Sequence, residues 1–452
     1  MQKLADLANL ALECEVPLMF RVDYRAKTYA PLAAGQKAAM SAVLAVIVVL
    51  AGILASAKAA QTPDTASCNQ PAHDAVTWID LPGQLPFQAL PSTDGCWIFV
   101  SLATGNGEAG DNEPKGGVAL IKRSAGHMEL VRVIHVGGNP TGMVLTHDGQ
   151  LLVVADGNRV AFLDTQSLIS GDEAPVLGYW TDGVRAPEHV YVNVTSDDKY
   201  LFVSDENAHT ITVVRLPAAR GSKHFKPTAV GKIPVGDGPV AVTFSPDERY
   251  LYITTITMPL TKEWPAECVR EWDPKAKPNA QGAIFIVDVA RATSDTGNAV
   301  VRVAKGGCSP VRLVLSPKGD TAYVTARGGN ALLIFDTHKL IADPNHALLG
   351  KVPTGSAPIG IAVVDAGKKV IVTNSNRFEG SSSETQSLLV IDAAKIADGE
   401  NAILGTIPAR GLPREMRTTS DGRTLLVVNT KSQKLQILDL ERLSSQVSHA
   451  GQ

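Results

Sequence analysis

"AYVTARGGNALLIFDT", residues 322–337, sets two apolar runs on either side of a polar turn, and the second run stops at Asp336. Each run has the length and β-branched content of a strand. The turn carries Gly328, Gly329 and Asn330, residue types that accept the left-handed backbone of a tight turn. Nearly the same phrase returns as "VVADGNRVAFLDT" (153–165), "FVSDENAHTITVVRL" (202–216) and "VVNTKSQKLQILDL" (427–440). A phrase that recurs at long period marks a repeat architecture.

Aligning the chain on its "SPD" turns gives seven units. Each opens on a Gly-containing turn and a proline: Pro86, Pro140, Pro239, Pro310, Pro358 and Pro413, with His189 in that column of the third unit. Aligning Pro187 instead moves His189 two places inward. Eight residues after the proline column comes the next turn, at Asp94, Asp148, Asp197, Asp247, Lys318, Ala366 and Asp421. Between the two lies a strand such as "PVAVTFSPD" (239–247). A second ("YLYIT", 250–254), a third ("IFIVD", 284–288) and a fourth ("AVGKIPVG", 229–236) complete the pattern. Four strands in about 50 residues is the period of a propeller blade, and a β-solenoid or separate sandwiches fit it poorly. The expected fold is all-β: a seven-bladed β-propeller of four-stranded blades. The 39 glycines and 27 prolines suit so many turns.

"AYVTA" (322–326), "VIVTN" (370–374) and the Gly/Pro and "SPD" phrases resemble the YVTN β-propeller repeat. That repeat is shared with lactonase-like seven-bladed propellers, which are similar in fold to 6-phosphogluconolactonase. The resemblance covers roughly residues 74–441. It implies the fold strongly and the chemistry weakly, because such folds host many functions. The family includes sugar-lactone hydrolases and exported propellers of unsettled activity.

"DAVTWIDLPGQLP" (74–86) reads as a fourth strand and its turn, while the last unit stops after its third strand, "KLQILDL" (434–440). The N-terminal segment is therefore expected to supply the outer strand of the last blade and close the ring. Residues 1–60 form a separate extension. Its uncharged run 38–57, "AAMSAVLAVIVVLAGILASA", reads either as a signal peptide cleaved near residues 57–60 or as a membrane anchor. Residues 61–73 are a linker, 74–441 the propeller and 442–452 a tail. A periplasmic or extracellular location is expected, or membrane attachment if residues 38–57 remain.

The whole chain has a formal charge of −3, which argues against a nucleic-acid partner. A monomer is expected, with no cofactor and no metal. Four cysteines follow the apolar run: Cys68, Cys96, Cys268 and Cys308. Export favours two disulfides. Cys68 and Cys96 fall on the face opposite the long loops, and Cys268 and Cys308 on the long-loop face, so topology selects Cys68–Cys96 and Cys268–Cys308.

Three insertions, 104–116, 257–282 and 376–386, all lie between second and third strands and so build up one face. Two residues after the proline column, the chain should reach the central channel. That column reads Gln88, Gly142, Tyr191, Ala241, Arg312, Gly360 and Glu415. Small residues belong there; Arg312, Glu415, Gln88 and Tyr191 are unusual, and Arg414 and Arg417 flank Glu415.

Two functions follow as expectations. One is binding of a small polar or anionic ligand, or of a protein, on the inserted face. The other is lactone hydrolysis, with Glu415 or His189 as general base and Arg312 stabilising the oxyanion. Against both stands an Arg312–Glu415 ion pair that merely plugs the channel. Trp264 and Trp272 are candidates to stack on a sugar or to anchor their insertion. "GNGEAG" (105–110) matches a dinucleotide fingerprint in letters only, since the acidic "DNEPKG" after it opens no helix. The chain has no G-x-S-x-G, H-E-x-x-H or C-x-x-C motif. The Asp156, Asp205, Asn374 and Asn429 column at the second-strand ends reads as turn-bonding.

Overall fold

A computed structural model describes Cys68, Gln70, residues 72–445 and Val447, except 82, 84, 105–115, 173, 219–224, 258–267, 269–280 and 378–385. The run 38–57, most of all three insertions, "GNGEAG", Trp264 and Trp272 lie outside the described residues. Among the described residues no helix is long and apolar enough to cross a membrane.

Seven antiparallel sheets follow one another in chain order, each a meander of four strands. The opening phrase is the second and third strand of blade 5, Thr321–Ala326 and Ala331–Asp336, joined through a left-handed Asn330 (φ 46°). In blade 4 the first strand is broken into Asp237–Pro239 and Thr243–Phe244, both paired with Tyr250–Thr257. His189 pairs with Asp205 as Pro140 pairs with Asp156, so His189 occupies the proline column and Tyr191 the channel column.

The repeated polar letters are turn chemistry. In the first turn of five blades a hydroxyl (Ser92, Thr146, Thr195, Ser245 or Thr419) donates to the Asp two residues on, and in blade 5 Ser316 donates to Asp320. The same hydroxyl accepts the amide that opens the second strand, as in Trp97 to Ser92 and Leu151 to Thr146. The Asp that ends the third strand caps a short helix: Asp164, Asp288, Asp336 and Asp392 accept the amides of Ser167, Arg291, Lys339 and Ala394. Blade 3 ends that strand on Arg215 and has no helix there among its described residues.

Blades stack through apolar faces. Tyr252, Ile284 and Ile286 of blade 4 pack on Leu313, Val324, Leu333 and Phe335 of blade 5. A second link lies near the axis, where the first strands bulge. Ser101, Ser204, Thr325 and Thr373 accept the channel-column amides of Gln88, Tyr191, Arg312 and Gly360. Ser101 and Thr325 also donate to Thr141 and Ile359 carbonyls of the next blade. Ser101 and Thr325 thus fix their own bulge and the blade-to-blade approach together.

The ring closes as the strand count requires. Val76–Asp80 pairs antiparallel with Lys434–Asp439, from Val76 opposite Leu438 to Asp80 opposite Lys434. The two disulfides are Cys68–Cys96 and Cys268–Cys308. They fit an oxidising, exported setting.

Candidate functional site

Seven backbones converge at the axis, and the small residues of the channel column are there for space. A Cβ on Gly360 would lie 2.3 Å from the Arg414 carbonyl oxygen, and one on Gly142 2.4 Å from that of Val190. The larger column members fill the centre. Arg312 donates through Nε to Glu415 Oε1 and through Nη1 to the Val311 carbonyl at 3.1 Å. Its guanidinium stacks 4.0 Å above the Tyr191 ring. Both partners are buried, and burial lowers the Arg312 pKa to about 10 against the pull of Glu415. The ion pair and Tyr191 therefore stand as a floor between two cups.

The cup away from the insertions has a volume of about 480 Å³ and is walled largely by first-strand aliphatics such as Leu145, Leu313 and Val363. Gln88, Arg417 and Glu415 face it. Gln88 is engaged, its Oε1 accepting the Met143 amide at 2.5 Å.

The cup on the inserted-loop face, about 500 Å³, is of a different character. Arg312, Tyr191 and Arg414 form its base, and Arg414 lies 3.9 Å over the Phe87 ring. Around them stand Arg327, Arg377, Lys431, Glu188 and Glu206. Burial and the neighbouring Arg377 and Arg414 lower the Arg327 pKa to about 10, and burial lowers those of Arg377 and Arg414 as well. Burial, helped by Glu188, lifts the Glu206 carboxyl to about 7 even though Arg414, Arg327 and Arg377 pull it down. Leaving aside the paired Arg312, four cations face two carboxylates here, in a chain whose net charge is −3.

Of the candidates read from sequence, Arg312, Glu415 and Tyr191 meet at the floor, while Arg414 and Arg417 fall on opposite sides of it. His189 sits in the wall of the inserted-face cup with no solvent exposure. The Asp/Asn column does bond turn backbones: Asp205 accepts the Glu188 amide at 3.0 Å, Asn374 that of Gly355 and Asn429 that of Arg410. The next position also lines the cup, with Ala103, Gly157, Glu206, Ile256, Arg327 and Thr430. Sequence reasoning missed Glu206, Arg327, Arg377 and Glu188. The signal was two opposite charges in a column otherwise small or apolar.

Residues 108–256 match the model of the lactonase family, described as a seven-bladed β-propeller. No curated protein matches the chain. Among solved structures, hydrazine synthase of Kuenenia stuttgartiensis is similar at 18% identity and a TM-score of 0.57, over 82% of this chain and 98% of that one. A periplasmic gluconolactonase of Pseudomonas aeruginosa is similar at 20% identity and 0.53, over 76% and 88%. A putative 6-phosphogluconolactonase of Bacteroides fragilis gives 15% and 0.56, over 80% and 95%. The chain is a seven-bladed β-propeller in which residues 108–256 resemble the lactonase family.

Proposed function

We propose that the inserted-face cup binds a small anionic, hydroxyl-rich molecule, and that this molecule is a sugar lactone hydrolysed there. The observation that carries the reading is Glu206 ringed by Arg327, Arg377 and Arg414, with its proton affinity near neutrality. A carboxyl poised near 7 exchanges protons efficiently at working pH. Guanidiniums beside it offer fixed positive charge for an oxyanion. Glu415, read from sequence as a base, is committed to Arg312, and His189 is sealed from the cup, so Glu206 takes the role.

The step balances simply. Glu206 removes a proton from a water, whose oxygen attacks the lactone carbonyl carbon. The carbonyl oxygen becomes an oxyanion facing the guanidiniums. Its collapse breaks the ring C–O bond, and the departing alkoxide takes the proton back from Glu206, giving the hydroxy acid. The names of similar structures make sugar lactones the first substrates to try; likeness at such identity carries the fold alone. Export to an oxidising compartment suits the two disulfides.

The test is lactone hydrolysis by purified residues 61–452, measured above the spontaneous rate with gluconolactone. Glu206→Gln should lower kcat by about 100-fold or more, the usual share of general-base catalysis. No rate above background, or an unaltered rate in that variant, defeats the proposal. If turnover is absent yet gluconate binds and Arg327→Ala abolishes binding, the cup is a receptor for sugar acids, the second reading.

A further inference from the structure

His189 and Asp205 face each other at the mouth of blade 3, as paired residues of its first two strands. Asp182 reaches them from the loop that enters the blade. The Asp182 side chain is 1% exposed and the other two are fully buried. Asp205 Oδ1 accepts the amides of Glu188, Asn207 and Ala208 at 3.0, 3.1 and 3.0 Å. Asp205 Oδ2 has no hydrogen-bond partner among the described residues, and neither has either ring nitrogen of His189. The gap from His189 Nδ1 to that oxygen is 4.0 Å, too long for a hydrogen bond. One donor atom from each of the three residues lies within 4.8 Å of the others.

Charge sharpens the point. Asp182 is balanced by Lys232, whose Nζ lies 2.8 Å from Oδ2, while its partner oxygen accepts the Val184 amide at 3.0 Å. No side-chain donor among the described residues hydrogen-bonds Asp205 Oδ2. A buried charge left in that state is costly. An imidazole nitrogen and two carboxylate oxygens are together a donor set for a borderline metal ion.

We propose that Asp182, His189 and Asp205 bind one divalent transition cation of the zinc class. Bonds of about 2.0–2.2 Å set tetrahedral donors roughly 3.4 Å apart, so the three must close by about an ångström. Asp205 is pinned by three amides; the movement falls to the His189 ring and the Asp182 carboxylate. Lys232 is the competitor. Its side chain is 35% exposed, so its ammonium can swing to water when the metal enters. The inference is independent of lactone hydrolysis, because His189 and Asp205 take no part in the reaction drawn above.

The experiment strips the purified protein with a chelator and titrates it with Zn²⁺ by calorimetry and with Co²⁺ by visible absorption. One equivalent of each should bind, Co²⁺ giving the ligand-field bands of a nitrogen and oxygen site. His189→Gln and Asp205→Asn should each weaken binding at least tenfold, with the circular dichroism of the stripped proteins unaltered. Lys232→Met should tighten binding about tenfold by removing the competing cation. Absence of stoichiometric binding, or binding that survives His189→Gln, overturns the proposal and leaves the gap to a water or a proton. Should the buried variants fail to fold, Lys232→Met decides: affinity unchanged or weaker overturns it.

Discussion

Arg312 of blade 5 and Glu415 of blade 7, 103 residues apart in sequence, form an ion pair across the channel axis with side chains 9% and 11% exposed. The pair divides the channel into two cups, and with Tyr191 it leaves no room for the hydrolytic role that the sequence alone suggests for Glu415. Buried pairs of this kind gain little over an apolar filling, yet breaking one is costly because the surviving charge is stranded. Arg312→Ala should therefore lower stability by about 3–5 kcal/mol. The double variant Arg312→Leu, Glu415→Met should recover most of that loss. Denaturant titration of both reads the difference, and a single variant as stable as the parent removes the plug from the account.

Ring closure gives a second prediction. Val76–Asp80 is the outer strand of blade 7, and Trp78 takes the Arg410 guanidinium 4.8 Å above its ring. Arg442 donates to the Ala72 and His73 carbonyls from the other end of the chain. Deleting residues 61–81 strips all of this and bares the edge of Lys434–Asp439. Aggregation, or a melting temperature lower by many degrees, is expected. A truncated chain that stays monomeric and melts unchanged would show that the last blade needs no outer strand.

The blade count was legible because it rests on short-range rules, and the closure and the pairing of cysteines follow from topology once the strands are placed. Strand alternation, the hydroxyl–Asp turn and the capping Asp act within about ten residues, so they imprint a period on the letters. The site is another matter. Arg327, Glu206 and Arg377 sit in blades 5, 3 and 6 and meet only when the ring closes. Arg327 lay inside the opening phrase, where "ARGGN" reads as a polar turn. Only aligning the position after the second-strand column would have shown it opposite in charge to Glu206. The column spacing does place Arg312 and Glu415 together as a candidate ion pair, but choosing that pair over a ligand site depends on which side chains fill the axis.

The disulfides offer a third prediction. Cys68–Cys96 spans 28 residues and ties the approach to the closing strand onto blade 1; Cys268–Cys308 spans 40 and fixes one point of the blade 4 insertion beside the turn into blade 5. In the chain-entropy picture loops of this size contribute about 3–4 kcal/mol each. Replacing either pair by serines should lower stability by that order in oxidised protein and have no effect after full reduction. Non-reducing peptide mapping checks the pairing, and a Cys68–Cys268 link would join opposite faces and break the blade assignment.

The last prediction concerns pH. The Glu206 carboxyl titrates near 7 in the folded chain because burial and Glu188 disfavour its charge, and it returns to an ordinary value, about 4.3, on unfolding. Between those two pH values the folded chain holds a proton that the unfolded chain has released. Stability therefore falls as pH rises from about 4.3 to about 7, at up to 1.4 kcal/mol per pH unit, and levels off above. Asp156, lifted to about 7 by burial despite its bond to Arg159, adds to the slope in the same window. The two are separable by substitution. Glu206→Gln should flatten the curve by the share of one proton and leave the variant more stable than the parent above pH 7, while the Asp156 contribution persists. Denaturant midpoints taken from pH 4 to 8 measure it. A variant curve parallel to the parent's would place Glu206 in water rather than in the cup, and would withdraw the base from the hydrolytic reading as well.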